Sequence, residues 1–412
     1  MLSLLAMSEH ARHLAAPLGF FTDVSSRPIV SALPSTALRV RRADSPRDLD
    51  AFVRFAFRIY RNDPNWVAPI VSMQKDKLDT RRNPFWKHAT RTLFLALRGD
   101  EVVGTIAAIV DHKRPDSMKS EGLFGFFESI DDADVARALL DAASRELRSH
   151  GMTRMIGPFS PNASDEYGIL VEGIDTRPAL MEAHSPRYYG GLMEACGMEK
   201  LRDAYAWLVK TKPGTKRAEE LLPARLGEVA KRIREAAGVR TRPVDMNRWD
   251  DEIATITRLF NASLSTVPDF APVTLDEFRA VAESLRSFLD PDLIRFVERD
   301  GEPVAFALAL PDINEALQPA KGSLFPTGAI KIWWKQRRLT RASFKILGVL
   351  PKYRHRGYDA VLILDVAQAI IDKGYTEADL SMTGEENVKI NSYLQALGLE
   401  IYRRVRIYSR SV

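Results

Sequence analysis

The sequence predicts an α/β fold built as two tandem mixed-sheet domains. Three observations predict it. Strand-like and helix-like runs alternate along the chain, their order from residue 38 returns about 201 residues later, and one basic, glycine-bearing turn joins a strand-like run to a long apolar helical pattern. The 412 residues leave room for two or three domains, and 45% hydrophobic residues suffice for full cores.

Taken in order, the first 37 residues show little pattern, and 1–37 reads as a poorly ordered extension. Its apolar run, Leu2 to Met7, is too short for a signal-peptide core and has no cationic stretch before it. Nowhere does the chain reach the roughly 18 uninterrupted apolar residues that a membrane-crossing helix needs. The single cysteine, Cys196, excludes an intrachain disulfide framework and a multi-cysteine zinc site, so no metal is expected and a reducing cytosol fits. The net charge is +5, yet 54 acidic residues are interspersed with 59 basic ones. No uniform field for nucleic acid follows, and nucleic acid is not an expected partner.

The repeat begins with Leu38 to Phe52, a strand and then a helix, matched by Val239 to Ile253. A hairpin over Thr92 to Ile109 turns at Gly99-Asp100, and its counterpart from Ile294 to Leu310 turns at Asp300-Gly301. The strand Leu123 to Glu128 and the helical pattern from Asp134 to His150 parallel the strand from Phe344 and the helix closed by Gly374. Finally a helix ending at Gly197 and a strand to Val209 match a helix ending at Gly398 and a strand to Ser409. The first copy therefore spans 38–210, a helical linker 211–238, and the second copy 239–412.

The copies differ where a phosphate would bind. In the second, Pro351 to Gly357 aims several backbone N–H groups and a helix N-terminus at one point, with Arg354 and Arg356 adding charge. In the first, Phe127 to Asp134 has no glycine and four carboxylates, which suit a helix N-terminus but would repel an anion. The first copy carries instead a polar insertion, Gly157 to Gly168, with Asn162, Asp165 and Glu166, and His184 follows nearby. In the second, polar groups follow two strands: Asp312 to Glu315, and Thr383 to Asn387.

The order Val349, Pro351, Tyr353-Arg354, Arg356-Gly357, Ala360, Leu362 resembles motif A of the GNAT superfamily of acyl-CoA-dependent N-acyltransferases. With the repeat, the resemblance to tandem GNAT proteins covers residues 38–412. It implies two GNAT-like domains, with acyl-CoA as co-substrate of the second copy and an amine as acceptor. It also implies that Leu350, Tyr353, Arg354, Arg356, Gly357, Ala360 and Asn387 meet the cofactor. Asp359 stands where the motif usually has a small residue. Leu394 stands where the family often has its tyrosine acid, with Tyr393 adjacent but expected to point elsewhere.

An amine must lose a proton before it attacks a thioester, and a carboxylate or histidine in the cleft can take it directly or through water. The candidates, in falling order, are Asp312, Glu315 and Glu385, then Glu166 and His184. The stretch Lys331 to Lys345 has six basic residues, no acidic one, and Trp333, Trp334 and Phe344 among them. That mixture suits an anionic membrane surface and tilts the acceptor toward a lipid-like amine; the resemblance to bacterial GNAT-like acyltransferases that acylate a sphingoid base implies a long-chain base of that kind. The expected location is cytoplasmic, peripheral on the inner membrane face. Two other readings stand beside this one: a Fem-like aminoacyl transferase using charged tRNA, and a non-catalytic acyl-CoA sensor.

Overall fold

The computed structural model describes residues 37–412 except 163 and 266–269, so the extension expected over 1–37 lies, but for Ala37, outside the described residues. The first copy runs β1 (Leu38–Arg42), α1 (Pro46–Ile59), α2 (Val71–Leu78), β2 (Ala89–Arg98), β3 (Glu101–Asp111), β4 (Glu121–Ser129), α3 (Ala133–Ser149) and β5 (Arg154–Gly157). The short strands β6 (Phe159–Ser160), β7 (Glu166–Tyr167) and β8 (Ile169–Glu172) follow, then α4 (Tyr189–Ala195) and β9 (Glu199–Lys210). Helix α5 (Ala224–Arg234) lies in the linker. The second copy runs β10 (Val239–Pro243), α6 (Trp249–Leu264), α7 (Leu275–Leu285), β11 (Ile294–Arg299), β12 (Glu302–Pro311), α8 (Asn314–Leu317) and α9 (Gly328–Lys335). It ends with β13 (Arg341–Val349), α10 (Tyr358–Asp372), β14 (Glu377–Gly384), α11 (Val388–Ala396) and β15 (Glu400–Ser411).

Local chemistry fixes these boundaries. Ser45 and Asp48 form a reciprocal capping box that starts α1, and Thr274 and Glu277 do the same for α7. The β11–β12 hairpin turns through Asp300 and Gly301, both at positive φ (53° and 86°), as a two-residue turn of matching twist demands.

The sheet does not stop between the copies. Its order is β1-β2-β3-β4-β5-β15-β9-β14-β13-β12-β11-β10, with β8 beside β15. Strands β9 and β15 are equivalent in the repeat, yet β15 completes the first copy by pairing with β5, and β9 completes the second by pairing with β14. The exchanged strands pair with one another along most of their length. That seam buries Trp207 and Tyr408 completely, and apolar burial of this size contributes roughly 1.5–3 kcal/mol for each large side chain. One core lies under α3 and α4, another under α10 and α5. No helix among the described residues is long and apolar enough to cross a membrane.

Candidate active site

The parallel ladder between β13 and β14 runs only from Arg341 opposite Glu377 to Phe344 opposite Leu380. Beyond it β13 stays with β12 and β14 with β9, so the two strands part. A cavity of about 2010 Å³, lined by both copies, reaches this parting. Ligand sites for small molecules usually hold roughly 300–1,000 Å³, so this one has room for substrates with long chains.

Charged groups meet at the parting. Lys345 Nζ donates to Ser381 Oγ at 2.7 Å and lies 3.6 Å from Asp379. Asp379 is fully buried and accepts from Ser381 (2.6 Å), from the Tyr402 hydroxyl (2.8 Å) and from Ser343. Glu182 arrives from the first copy: one oxygen accepts from the Ala179 amide at 3.0 Å and faces Arg403 at 3.2 Å. Its other oxygen, Oε1, has no hydrogen-bond partner among the described residues, and Glu182 lines the cavity. Burial first, and then the nearby Asp379 charge, push the Glu182 carboxyl up to about 7, against the pull of Lys345 and Arg403. A carboxyl so placed can accept a proton near neutral pH.

The first copy continues the wall. His184 Nε2 meets Asp63 at 2.7 Å and its Nδ1 is buried with no hydrogen-bond partner among the described residues, while desolvation holds the ring toward its neutral form. The Tyr60 hydroxyl donates to the His184 carbonyl at 3.0 Å. Glu128, at the end of β4, accepts from Tyr189 at 2.5 Å, and burial pushes its carboxyl up to about 8. Glu166, exposed on its outer side, borders the cavity near the Lys77–Asp165 pair (2.9 Å).

The two helix N-termini behind the fourth strands differ. Helix α3 is capped by Asp132, whose side chain accepts from the amides of Asp134 and Val135 and pairs with Arg98 at 2.6 Å. Helix α10 has Gly357 at its cap, which brings no side chain to its amides. Gly357 sits at φ 84°, and a Cβ there would stand 2.6 Å from Val229 of α5, so both backbone and packing demand glycine.

Of the residues marked in the sequence, Glu166, His184, Arg356, Gly357, Ala360 and Asn387 line the cavity. Three expected carboxylates do not. Asp312 is fully buried, paired with Arg341 at 2.6 Å, and accepts from the amides of Leu180 and Asn314. Glu315 holds Thr340 and Arg177, and Glu385 pairs with Lys200 at 2.7 Å. These contacts tie loops together. Leu350 and Tyr353 pack on the core beneath α10, and Arg354 donates to the Ser263 carbonyl at 2.7 Å, near the end of α6, where a cation is favourable.

Two expectations are corrected. Tyr393, expected to point away, lines the cavity, and desolvation first and then the Asp359 charge push its hydroxyl up. The segment Lys331 to Lys345 is not one surface: Arg341 and Lys345 lie on β13 and turn inward to Asp312 and Ser381, because the chain enters the sheet at Arg341. Sequence reasoning passed over Glu182, although a lone acid between Met181 and Ala183, two residues before His184, was a signal.

No family model matches the chain. It is 32% identical over 386 residues to the bacterial ceramide synthase of Caulobacter vibrioides, covering 91% of this chain and 98% of that protein. It is 30% identical over 380 residues to protein YghO of Escherichia coli, covering 90% and 95%. Among solved structures it resembles a tandem GNAT protein from the clavulanic acid biosynthesis pathway (TM-score 0.52, 11% identity, 91% of this chain and 98% of that one). It also resembles the glucosamine N-acetyltransferase region of a fungal multi-domain β-N-acetylglucosaminidase (TM-score 0.53, 14% identity, 91% and 38%).

Proposed function

This chain belongs to the tandem GNAT family of N-acyltransferases, and on that premise we propose that it transfers a long acyl group from acyl-CoA to a long-chain amine, with a sphingoid base as the acceptor class. The observation that carries the reading is Glu182: a buried carboxyl with one open oxygen, set where β13 and β14 part and facing an apolar cavity large enough for two chains. The ceramide synthase name of a relative covered over nearly its whole length supports the same acceptor class.

In this reading acyl-CoA lies against the second copy. The unfilled amides after Gly357, together with Arg356, hold its pyrophosphate, and the thioester reaches the parting of the strands. Glu182 takes a proton from the ammonium of the acceptor. The freed nitrogen bonds to the thioester carbonyl carbon, the C–S bond breaks, and CoA leaves as a thiolate that takes up the second proton shed by that nitrogen. Lys345 lies at the same parting and faces the negative charge that develops there. In this reading His184, which meets Asp63 at 2.7 Å, passes the proton onward. The first copy, its phosphate site filled by Asp132, supplies the wall and the base.

The test is direct. Purified protein is given acyl-CoAs of graded chain length and a sphingoid base, with mass-spectrometric detection of the N-acyl product and thiol release. A product that needs both substrates is expected; acyl-CoA binding without transfer to any long-chain amine would overturn the reading.

A further inference from the structure

Large apolar side chains left in water cluster in this protein. Of the eleven that are exposed among the described residues, eight lie on α2, on α7, or on α9 and the loop before it. The most exposed of these eight are Phe325 (86% exposed), Ile330 (66%), Trp334 (54%) and Trp333 (52%). These three elements adjoin one another: Ile332 of α9 packs in a small cluster with Ile70, just before α2, and Phe288, just after α7. Met73 of α2 and Val281 of α7 are themselves exposed and also line the cavity, so the cavity reaches the surface between these helices.

The charge of α9 and the loop before it has one sign. From Lys321 to Arg338 the chain carries Lys321, Lys331, Lys335, Arg337 and Arg338 and no acidic residue. The Arg337 guanidinium lies 3.9 Å from the Trp333 ring centre, and Arg338 lies 4.3 Å from that of Trp334. Acidic side chains of α7 are engaged elsewhere, Asp276 with Lys87 at 2.7 Å and Glu283 with Trp249 at 2.5 Å. Tryptophans beside cations, with bulky apolar tips beyond them, suit the headgroup level of a bilayer and not open water.

We propose that this face docks on an anionic lipid bilayer, and that the mouth between α2 and α7 admits the amine acceptor directly from it. This deepens the reading above, on which the acceptor is a long-chain amine, by assigning where that amine enters. Acyl-CoA, with its charged nucleotide, would arrive from water at the α10 end of the cavity. A bilayer is favoured over nucleic acid because the most exposed side chains are apolar, and only the rim is cationic.

The experiment uses the full chain and two readouts. In the first, phosphatidylcholine vesicles with and without phosphatidylglycerol are sedimented in the absence of acyl-CoA. Wild type should co-sediment with the anionic vesicles at low salt and leave them at high salt, and the exposed pair Trp333→Ala/Trp334→Ala should bind at least roughly tenfold more weakly. In the second, turnover is compared for a long-chain amine embedded in the vesicles and for a short water-soluble amine. The double variant should lose most of the first activity and keep the second, as should Lys331→Glu/Lys335→Glu. Equal sedimentation of wild type and variants, or equal loss of both activities, would overturn the docking proposal. Vesicle binding without acylation of either amine would leave docking intact and overturn the enzymatic reading, so the two failures are distinguishable. Binding to RNA in place of vesicles would reject the bilayer.

Discussion

The same strand, turn and helix occur twice in this chain, and the two versions have become opposites. At α3 the carboxylate of Asp132 sits on the amides of the helix, whereas at α10 a glycine leaves those amides free. At the end of β4 the strand edge meets Ser160 of the insertion, whose hydroxyl accepts from the Phe126 amide at 3.2 Å, while the edge of β13 opens into the cavity. The difference teaches that the fold supplies a geometry and not a function. One side-chain oxygen in place of a glycine turns an uncapped helix end into a sealed one, and the copy with the sealed end is the one that contributes Glu182 to the shared cavity.

The largest expected effect comes from cutting that contribution. Glu182→Gln should lower kcat by roughly 10²- to 10⁴-fold with little change in acyl-CoA binding. Wild-type rate should rise with pH through about 7, because the carboxyl must be ionised to accept a proton, and the variant should lose that limb. A variant that keeps both rate and limb would show that the base lies elsewhere.

The next effect separates two arginines of one turn. Arg356→Ala should weaken acyl-CoA binding roughly tenfold or more by calorimetry, since a charge-assisted contact is lost. Arg354→Ala, which removes the hydrogen bond to Ser263, should lower thermal stability more than affinity. The reverse pattern would move the phosphate to the other guanidinium.

Smaller shifts probe the first copy. Glu128 has a folded pKa near 8 against an ordinary value of 4.5, so its ionisation is disfavoured in the folded state and wild type loses stability as pH rises through that window. Glu128→Gln should therefore melt progressively higher than wild type as pH rises from 4.5 toward 8, and a constant difference would refute the assignment. Least of all, Asp132→Ala should cost about 1 kcal/mol of stability through the lost cap. It should leave one acyl-CoA per chain by titration, and a second equivalent would mean that the cap alone had been closing the first copy.

The repeat was legible in the sequence because hydrophobic period and turn chemistry are local: the hairpin turns at Gly99 and Gly301, the strands, and the helices behind them are formed as written. The site was legible only in part. Arg356, Gly357 and Asn387 follow one another along a motif, and Glu166 and His184 were marked by polarity alone. Asp312 and Glu315 have the same polarity at a strand end, and what separates them from a base is a partner far away in sequence, Arg341 for one and Thr340 for the other. Glu182 gains its meaning from Lys345 and Asp379, about 160 and 200 residues on, and no local pattern announces such neighbours.

The exchange of β9 and β15 governs how the protein can be made and divided. While the chain emerges from a ribosome, β5 waits with a bare edge until β15 follows it, through the whole synthesis of the second copy, and a bare edge is a template for the wrong partner. Cutting the linker before expression would not yield two small enzymes. Each fragment would carry the other's closing strand, and the pair should regain a complete sheet only when both are produced together.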